Sequence, residues 1–323
     1  MLKRKDKECS RASFLHSWIE KKTFFAADHF SSKLQPVRVR GLHQRIAPLT
    51  NARMKRILRI ALTLLAFAGL FRTTATAGAK QAPIRALMIC GGCCHDYANQ
   101  KKILSEGISA RANIEWTIVQ EDAPDKKDER NHKVSIYLKP DWWKGYDVIV
   151  HNECFGMVDD NAFIEGITAA HKAGVPGVFL HCSSHSYRAG TTDEWRKAVG
   201  ITSRSHEKNR DLHVKTIKAD HPVMKGFPAE WLDPKDELYK NEFVWPNCVP
   251  LAKAYGEDTK QDHNVIWVNT YEDARVFTTT LGHANTTMSA PEYLDLVTRG
   301  LLWTCGKLTD DGKPADGFGP AVK

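Results

Sequence analysis

From residue 84 onward, short apolar runs alternate with stretches of helical spacing, and this alternation predicts most of the elements. Residues 84–90 form an apolar run that stops at Gly91-Gly92, which reads as a buried strand entering a tight turn. Ile103, Leu104 and Ile108 recur at helical spacing within 97–111, so a helix is expected there. A second strand is expected over 114–119, and 120–141 is charged and loop-like with one short element near 134–138. A third strand over 146–150 should deliver His151, Asn152 and Glu153 at its end. Residues 159–173 read as a helix capped by Asp159 or Asp160. A fourth strand over 175–180 runs into His181-Cys182-Ser183-Ser184-His185. From 212 to 268 the pattern changes to β-like pieces punctuated by Pro. A β segment over 275–280 follows, and then a closing helix that buries Leu294, Val297, Leu301 and Leu302.

Strands that alternate with helices imply parallel βαβ units with helices on both faces of a sheet. The expected architecture is therefore α/β, with a doubly wound, mostly parallel sheet and a β-rich C-terminal half. Residues 78–323 are expected to form one domain with a core of about 84–307, without repeats or an internal linker.

Charge separates the first 77 residues from the rest. They hold 16 basic and 4 acidic residues, a net of +12, whereas 78–323 hold 30 and 34, a net of −4. The basic character lies in the leader, so the domain lacks the footprint that nucleic-acid binding requires. Lys55, Arg56 and Arg59 precede an apolar run of twelve residues over 60–71, and Ala75-Thr76-Ala77 supplies a small-x-small cleavage site. Residues 54–77 thus read as a secretory signal peptide, too short in apolar length for a membrane span. Residues 1–53 are expected to be a spurious or disordered leader. The expected location is periplasmic or secreted, with no stable membrane insertion after cleavage. Seven cysteines follow residue 77 (Cys90, Cys93, Cys94, Cys154, Cys182, Cys248 and Cys305). This odd, irregular set is no small-domain disulfide framework; Cys93-Cys94 is expected to be too cramped to pair with itself.

Eleven of the fourteen histidines lie beyond residue 77. His95, His151, His181, His185 and His283 each follow a strand segment, so parallel strands would bring them to one edge, where open α/β sheets bind ligands. Imidazoles there can bind a metal or move a proton near neutral pH. Asp96 also reads as the cap of the helix beginning at Tyr97. Cys182 stands between histidines but lacks the flanking glycines of a nucleophile elbow. Asp236 and Glu237 offer paired carboxylates, and Tyr239 could contact a sugar ring. His206 lies in a polar loop, and no dinucleotide-binding pattern occurs.

The segments Val265-Ile266-Trp267, 275–283 ending in Leu281-Gly282-His283, and Arg299-Gly300-Leu301-Leu302-Trp303 resemble the end of a ThuA-like, trehalose-utilisation domain. The Gly91-Gly92 turn with His95-Asp96-Tyr97, Leu180-His181, the Trp195 segment, His206 and 236–239 are similar to other parts of that family. The resemblance covers roughly 84–307. It implies a flavodoxin-like sheet related in fold to class I glutamine amidotransferases, although the amidotransferase Cys motif is absent. It also implies carbohydrate catabolism on an oxidised (keto) sugar, by hydrolysis or isomerisation, with a small-molecule carbohydrate as partner. On this reading His181, His283 and Glu237 are catalytic, and His95, Asp96 and Tyr239 bind substrate. A divalent metal such as zinc would be held by His181, His206 and His283, and no nucleotide is expected. Two alternatives stand beside it: a Cys182-dependent amidotransferase-like hydrolase and a non-enzymatic sugar-binding module.

Overall fold

The computed structural model describes residues 81–321; the leader and signal-peptide readings over 1–53 and 54–77 lie outside the described residues. Strand β1 (Ile84–Gly92) is buried from Ala86 through Cys90, as its unbroken apolar run requires of a strand covered on both faces. It pairs in parallel with β2 (Ile114–Gln120) on one side and β3 (Val148–Cys154) on the other. β4 (Gly177–Leu180) continues the sheet in parallel beside β3, and β11 (Ala274–Thr279) lies parallel to β4. In this half the strands run β2-β1-β3-β4-β11, an order consistent with a flavodoxin-like arrangement.

The other half corrects the expectation of a mostly parallel sheet. β6 (Arg210–Thr216), β7 (Glu230–Asp236), β9 (Val249–Gly256) and β10 (Gln261–Tyr271) extend the nine-stranded sheet as β11-β10-β9-β6-β7, and every pairing among them is antiparallel. Parallel neighbours need a long crossover, usually a helix. Here β10 passes into β11 through Glu272 and Asp273, with Glu272 at φ +47°, so the chain can only double back. β5 (Ile201–Thr202) and β8 (Phe243–Val244) form a separate two-stranded pair.

Helices α1 (Tyr97–Ser109) and α5 (Pro291–Thr304) cover one face, where Leu104, Ile108, Val297 and Leu301 join Met88, Val150 and Phe277 in one cluster. Helices α2 (Asn161–Lys172) and α3 (Glu194–Val199) cover the other, where Ile164, Ile167 and Ala198 join Leu87, Ile89 and Phe179. Successive residues of β1 therefore serve opposite layers, as strand pleating dictates. A short helix α4 (Asn285–Ser289) precedes α5. Of the two candidate caps for α2, Asp160 accepts from the Phe163 amide at 3.1 Å. Asp96 caps α1 by accepting from the Asn99 amide at 3.3 Å. Among the described residues, no helix is long and apolar enough to cross a membrane.

β3 runs four residues beyond its expected end, because Cys90, Gly91 and Gly92 pair with Asn152, Glu153 and Cys154. His151 consequently sits inside the strand and is fully buried. Its ring stacks on Phe179 at 4.6 Å, and its Nε2 lies 3.1 Å from His171 Nε2. It is a core histidine and does not join the others at the sheet edge.

Close packing of α5 on β11 depends on Gly300, where an added Cβ would stand 2.4 Å from the Phe277 ring. Gly300→Ala is expected to destabilise the fold by about 1–3 kcal/mol through overpacking. Urea unfolding checks this; an unchanged midpoint would show that the helix can shift freely.

Candidate functional site

His181 follows β4 and opens a 3-10 turn, His181–His185. Its φ of +46° lies where non-glycine residues are uncommon. Its Nδ1 is 2.6 Å from the Thr280 carbonyl. A carbonyl can only accept, so Nδ1 carries a hydrogen and Nε2 is the nitrogen turned inward. Nε2 lies 3.5 Å from Glu237 Oε2 and 3.4 Å from the Tyr239 hydroxyl.

His283 is set by Gly282, whose φ of +112° and whose 2.7 Å approach of an added Cβ to the Tyr293 hydroxyl both require glycine. The turn is tied down by Asp236, fully buried at the end of β7. Asp236 Oδ2 accepts from the amides of Gly282 at 2.7 Å and His283 at 3.2 Å, and Oδ1 accepts from the Glu237 amide at 2.6 Å. One carboxylate thus fixes both His283 and Glu237. Glu237 Oε2 stands 3.5 Å from His283 Nδ1, and Oε1 stands 3.6 Å from His206 Nδ1.

His95 arrives from the loop after β1. Its ring meets those of His181 and His283 edge-on, with centroids 4.7 and 5.0 Å away. His95, His181 and His283 each offer a ligand nitrogen within 4.8 Å of the others. The Nδ1 atoms of His95 and His283 are buried without a hydrogen-bond partner, an arrangement that costs free energy until a ligand satisfies it.

Charge at this point is unevenly shared. Burial, with His181 and His283 alongside, pushes the His95 pKa down to about 2. Burial alone would raise the Glu237 carboxyl, but the facing His181 and His283 imidazoles outweigh it and hold the group well below the usual carboxylate range. The Glu237 carboxylate in turn raises His283 against the effect of burial. The cluster therefore holds an anionic carboxylate beside one imidazole, His95, that burial keeps neutral and another, His283, whose protonated form the carboxylate favours.

The remaining expected residues have other places. His206 lies outside the three-imidazole group, with Nδ1–H donating to the Glu207 carbonyl at 2.8 Å. Tyr239 is fully buried beneath the rings, stacked on His185 at 4.2 Å. The exposed Asp96 carboxylate accepts from the side chains of Asn99 at 2.6 Å and Asn285 at 2.8 Å, which joins the starts of α1 and α4. An open cavity of about 390 Å³ lies against His95 and Asp96, with Gln120, Asp122 and Lys126 on its other walls.

The cysteines correct one expectation and bear on one alternative. Cys93 and Cys94 are bonded to each other, the chain accommodating this with Cys94 at φ +82°. Cys182 is bonded to Cys154, so it has no thiolate for the nucleophile reading. His185 converges on the same two sulfurs, a grouping that sequence reasoning did not single out and that offers thiolate ligands only once the Cys154–Cys182 bond is reduced. The anchoring role of Asp236 was missed too, because main-chain acceptance leaves no residue pattern.

A mixed α/β sheet with imidazoles at the ends of its parallel strands and a carboxylate brought beside them from β7 defines the class: an α/β protein with a polar edge site. The chain belongs to the ThuA family, described as trehalose utilisation, which matches residues 85–304; this supports a carbohydrate-related role. It is similar in structure to a ThuA-like protein from Parabacteroides merdae (TM-score 0.54, 20% identity, covering 73% of this chain and 96% of that one). It is also similar to one from Bacteroides uniformis (TM-score 0.54, 16% identity, covering 74% and 98%). At these identities the likeness is one of fold. No curated protein matches the chain.

Beneath the site, buried Asp233 accepts from Thr287 Oγ1 at 2.6 Å, while its Oδ2 has no partner. Burial first, and then neighbouring Asp236, push its pKa from 3.8 up to about 9. Asp233 is thus protonated in the fold but ionised when unfolded, so its contribution to stability falls as pH rises from about 4 to about 9. One such proton is worth up to about 1.4 kcal/mol per pH unit. Asp233→Asn is expected to flatten the stability profile and gain most over wild type near the alkaline end. Melting curves across this window check the sign; parallel profiles for the two proteins would contradict it.

Proposed function

We propose that the chain is an exported enzyme of carbohydrate catabolism that acts on a keto sugar where His95, His181, His283 and Glu237 converge. The observation that carries this reading is the meeting of three imidazoles whose ligand nitrogens lie within 4.8 Å of one another. Buried ring nitrogens gathered this closely call for a cation or a substrate group between them. Export rests on the sequence of 54–77.

The donor set suits a divalent cation such as zinc, because three imidazoles with one position left open is a familiar catalytic coordination set. His95 and His283 also have unpartnered Nδ1 atoms. In this reading His95, His181 and His283 would hold the ion, with His95 in place of the expected His206. Such an ion would polarise a sugar carbonyl or lower the pKa of water. The chain's own groups do the rest. The Thr280 carbonyl locks the His181 tautomer, and Asp236 aims Glu237 and His283 at the same point. Glu237, anionic and next to all of them, takes a proton from substrate or water. The His206 Nδ1–H, held by the Glu207 carbonyl, also faces Glu237 Oε1 at 3.6 Å, so His206 positions the carboxylate and does not accept its proton. This chemistry serves either hydrolysis or isomerisation of the keto sugar.

Metal analysis and turnover on a panel of keto-glycosides test the reading together. Purified protein is expected to carry near-stoichiometric metal that His181→Ala and His283→Ala lose. Glu237→Gln is expected to keep the metal and lose at least about 100-fold in kcat, the scale of general base catalysis. Full turnover by metal-free protein would rule out the metal centre, and bound sugar without turnover would identify a binding module instead.

A further inference from the structure

Four sulfurs form a continuous line from the surface to the base of the site. Cys94 is exposed, whereas Cys93, Cys154 and Cys182 are buried. Cys93–Cys94 and Cys154–Cys182 are bonded pairs. Between the pairs, Cys93 Sγ lies 3.6 Å from Cys154 Sγ, and the Cys93 amide donates to the Cys154 carbonyl at 3.2 Å. This approach depends on Gly92, which pairs with Cys154 and whose added Cβ would stand 2.3 Å from the Cys154 carbonyl oxygen. At the outer end, Arg130 Nη2 is 3.6 Å from Cys94 Sγ. At the inner end, His185 Nε2 is 3.4 Å from Cys182 Sγ. Neither disulfide takes part in the proposed sugar chemistry.

We propose that these four cysteines are a thiol–disulfide exchange relay, which carries reduction by an external thiol from Cys94 to Cys182. A thiolate attacks exposed Cys94 Sγ, forming a mixed disulfide there and releasing Cys93 as a thiolate. Cys93 attacks Cys154 Sγ, breaking the Cys154–Cys182 bond and forming a Cys93–Cys154 bond. The released Cys182 sulfur lies 3.4 Å from His185 Nε2, which donates to it in the Nε2–H tautomer, and takes up a proton. A second external thiol resolves the mixed disulfide at Cys94, whose thiolate Arg130 favours by its charge. Two thiols are oxidised to one external disulfide, and one of the two protein disulfides is reduced. The two protons the thiols release are taken up by Cys94 and Cys182. The outcome is a thiol at Cys182, between His181 and His185, produced by a reductant that never enters the core.

Peptide mapping of the purified protein tests this without reference to sugar turnover. The protein is exposed to reduced glutathione, quenched by alkylation at intervals, and digested without reduction. A glutathione adduct on Cys94 is expected first, followed by a Cys93–Cys154 cross-linked peptide together with alkylated Cys182. Alkylation of Cys93 and Cys94 with Cys154–Cys182 intact would overturn the relay, as would the absence of any adduct on Cys94. In Cys94→Ser, which leaves Cys93 unbonded, the Cys93–Cys154 bond and a free Cys182 should form with no glutathione added. Retention of Cys154–Cys182 beside a free Cys93 in that variant would equally contradict the relay.

Discussion

The candidate site depends on one buried carboxylate. Asp236 has no exposure to water and spends its oxygens on the amides of Gly282, His283 and Glu237. A carboxylate is a strong acceptor for backbone N–H groups, and such charge-assisted bonds are among the more valuable in a fold. Two of those amides belong to the loop after β11, at the boundary where the sheet changes from parallel to antiparallel, and the third belongs to the end of β7 at the sheet's far edge. Asp236 is therefore the tie between distant strands. His181 is brought to the same place independently, by β4 and by its hydrogen bond to Thr280.

Much of the parallel half was legible in the sequence, because a strand buried on both faces shows as an unbroken apolar run. The run at 84–90 and the Ile103, Leu104 and Ile108 spacing became β1 and α1 with small boundary changes. The antiparallel half was legible only as β-rich. Its pairing is set by tight reversals such as Glu272-Asp273, which local pattern does not connect to a sheet order. The end of β3 was misread for a related reason: His151, Asn152 and Glu153 are polar, and only pairing with the end of β1 shows them to be strand. Placing His151 in the core then follows from strand alternation.

The site shows a similar division. His95, His181, Glu237 and His283 were nameable because imidazoles and carboxylates at strand ends carry chemistry wherever they meet. Their mutual distances were not, and those distances separate His206 from the ligand set and bring His95 into it. The cysteines make the same point: adjacent thiols read as unpaired from spacing alone, yet the left-handed backbone at Cys94 accommodates their bond. Contact between Cys93 and Cys154 depends on a glycine whose importance appears only when the two strand ends are side by side.

The central claim is that His95, His181 and His283 act as one ligand set held by backbone and carboxylate partners. Imidazole nitrogen NMR during zinc titration tests it most directly. The account predicts that His181 begins as the Nδ1–H tautomer, and that one equivalent of zinc shifts the ring nitrogens of all three histidines together. Zinc that perturbs only one of the three, or that collects at His185 instead, would contradict it.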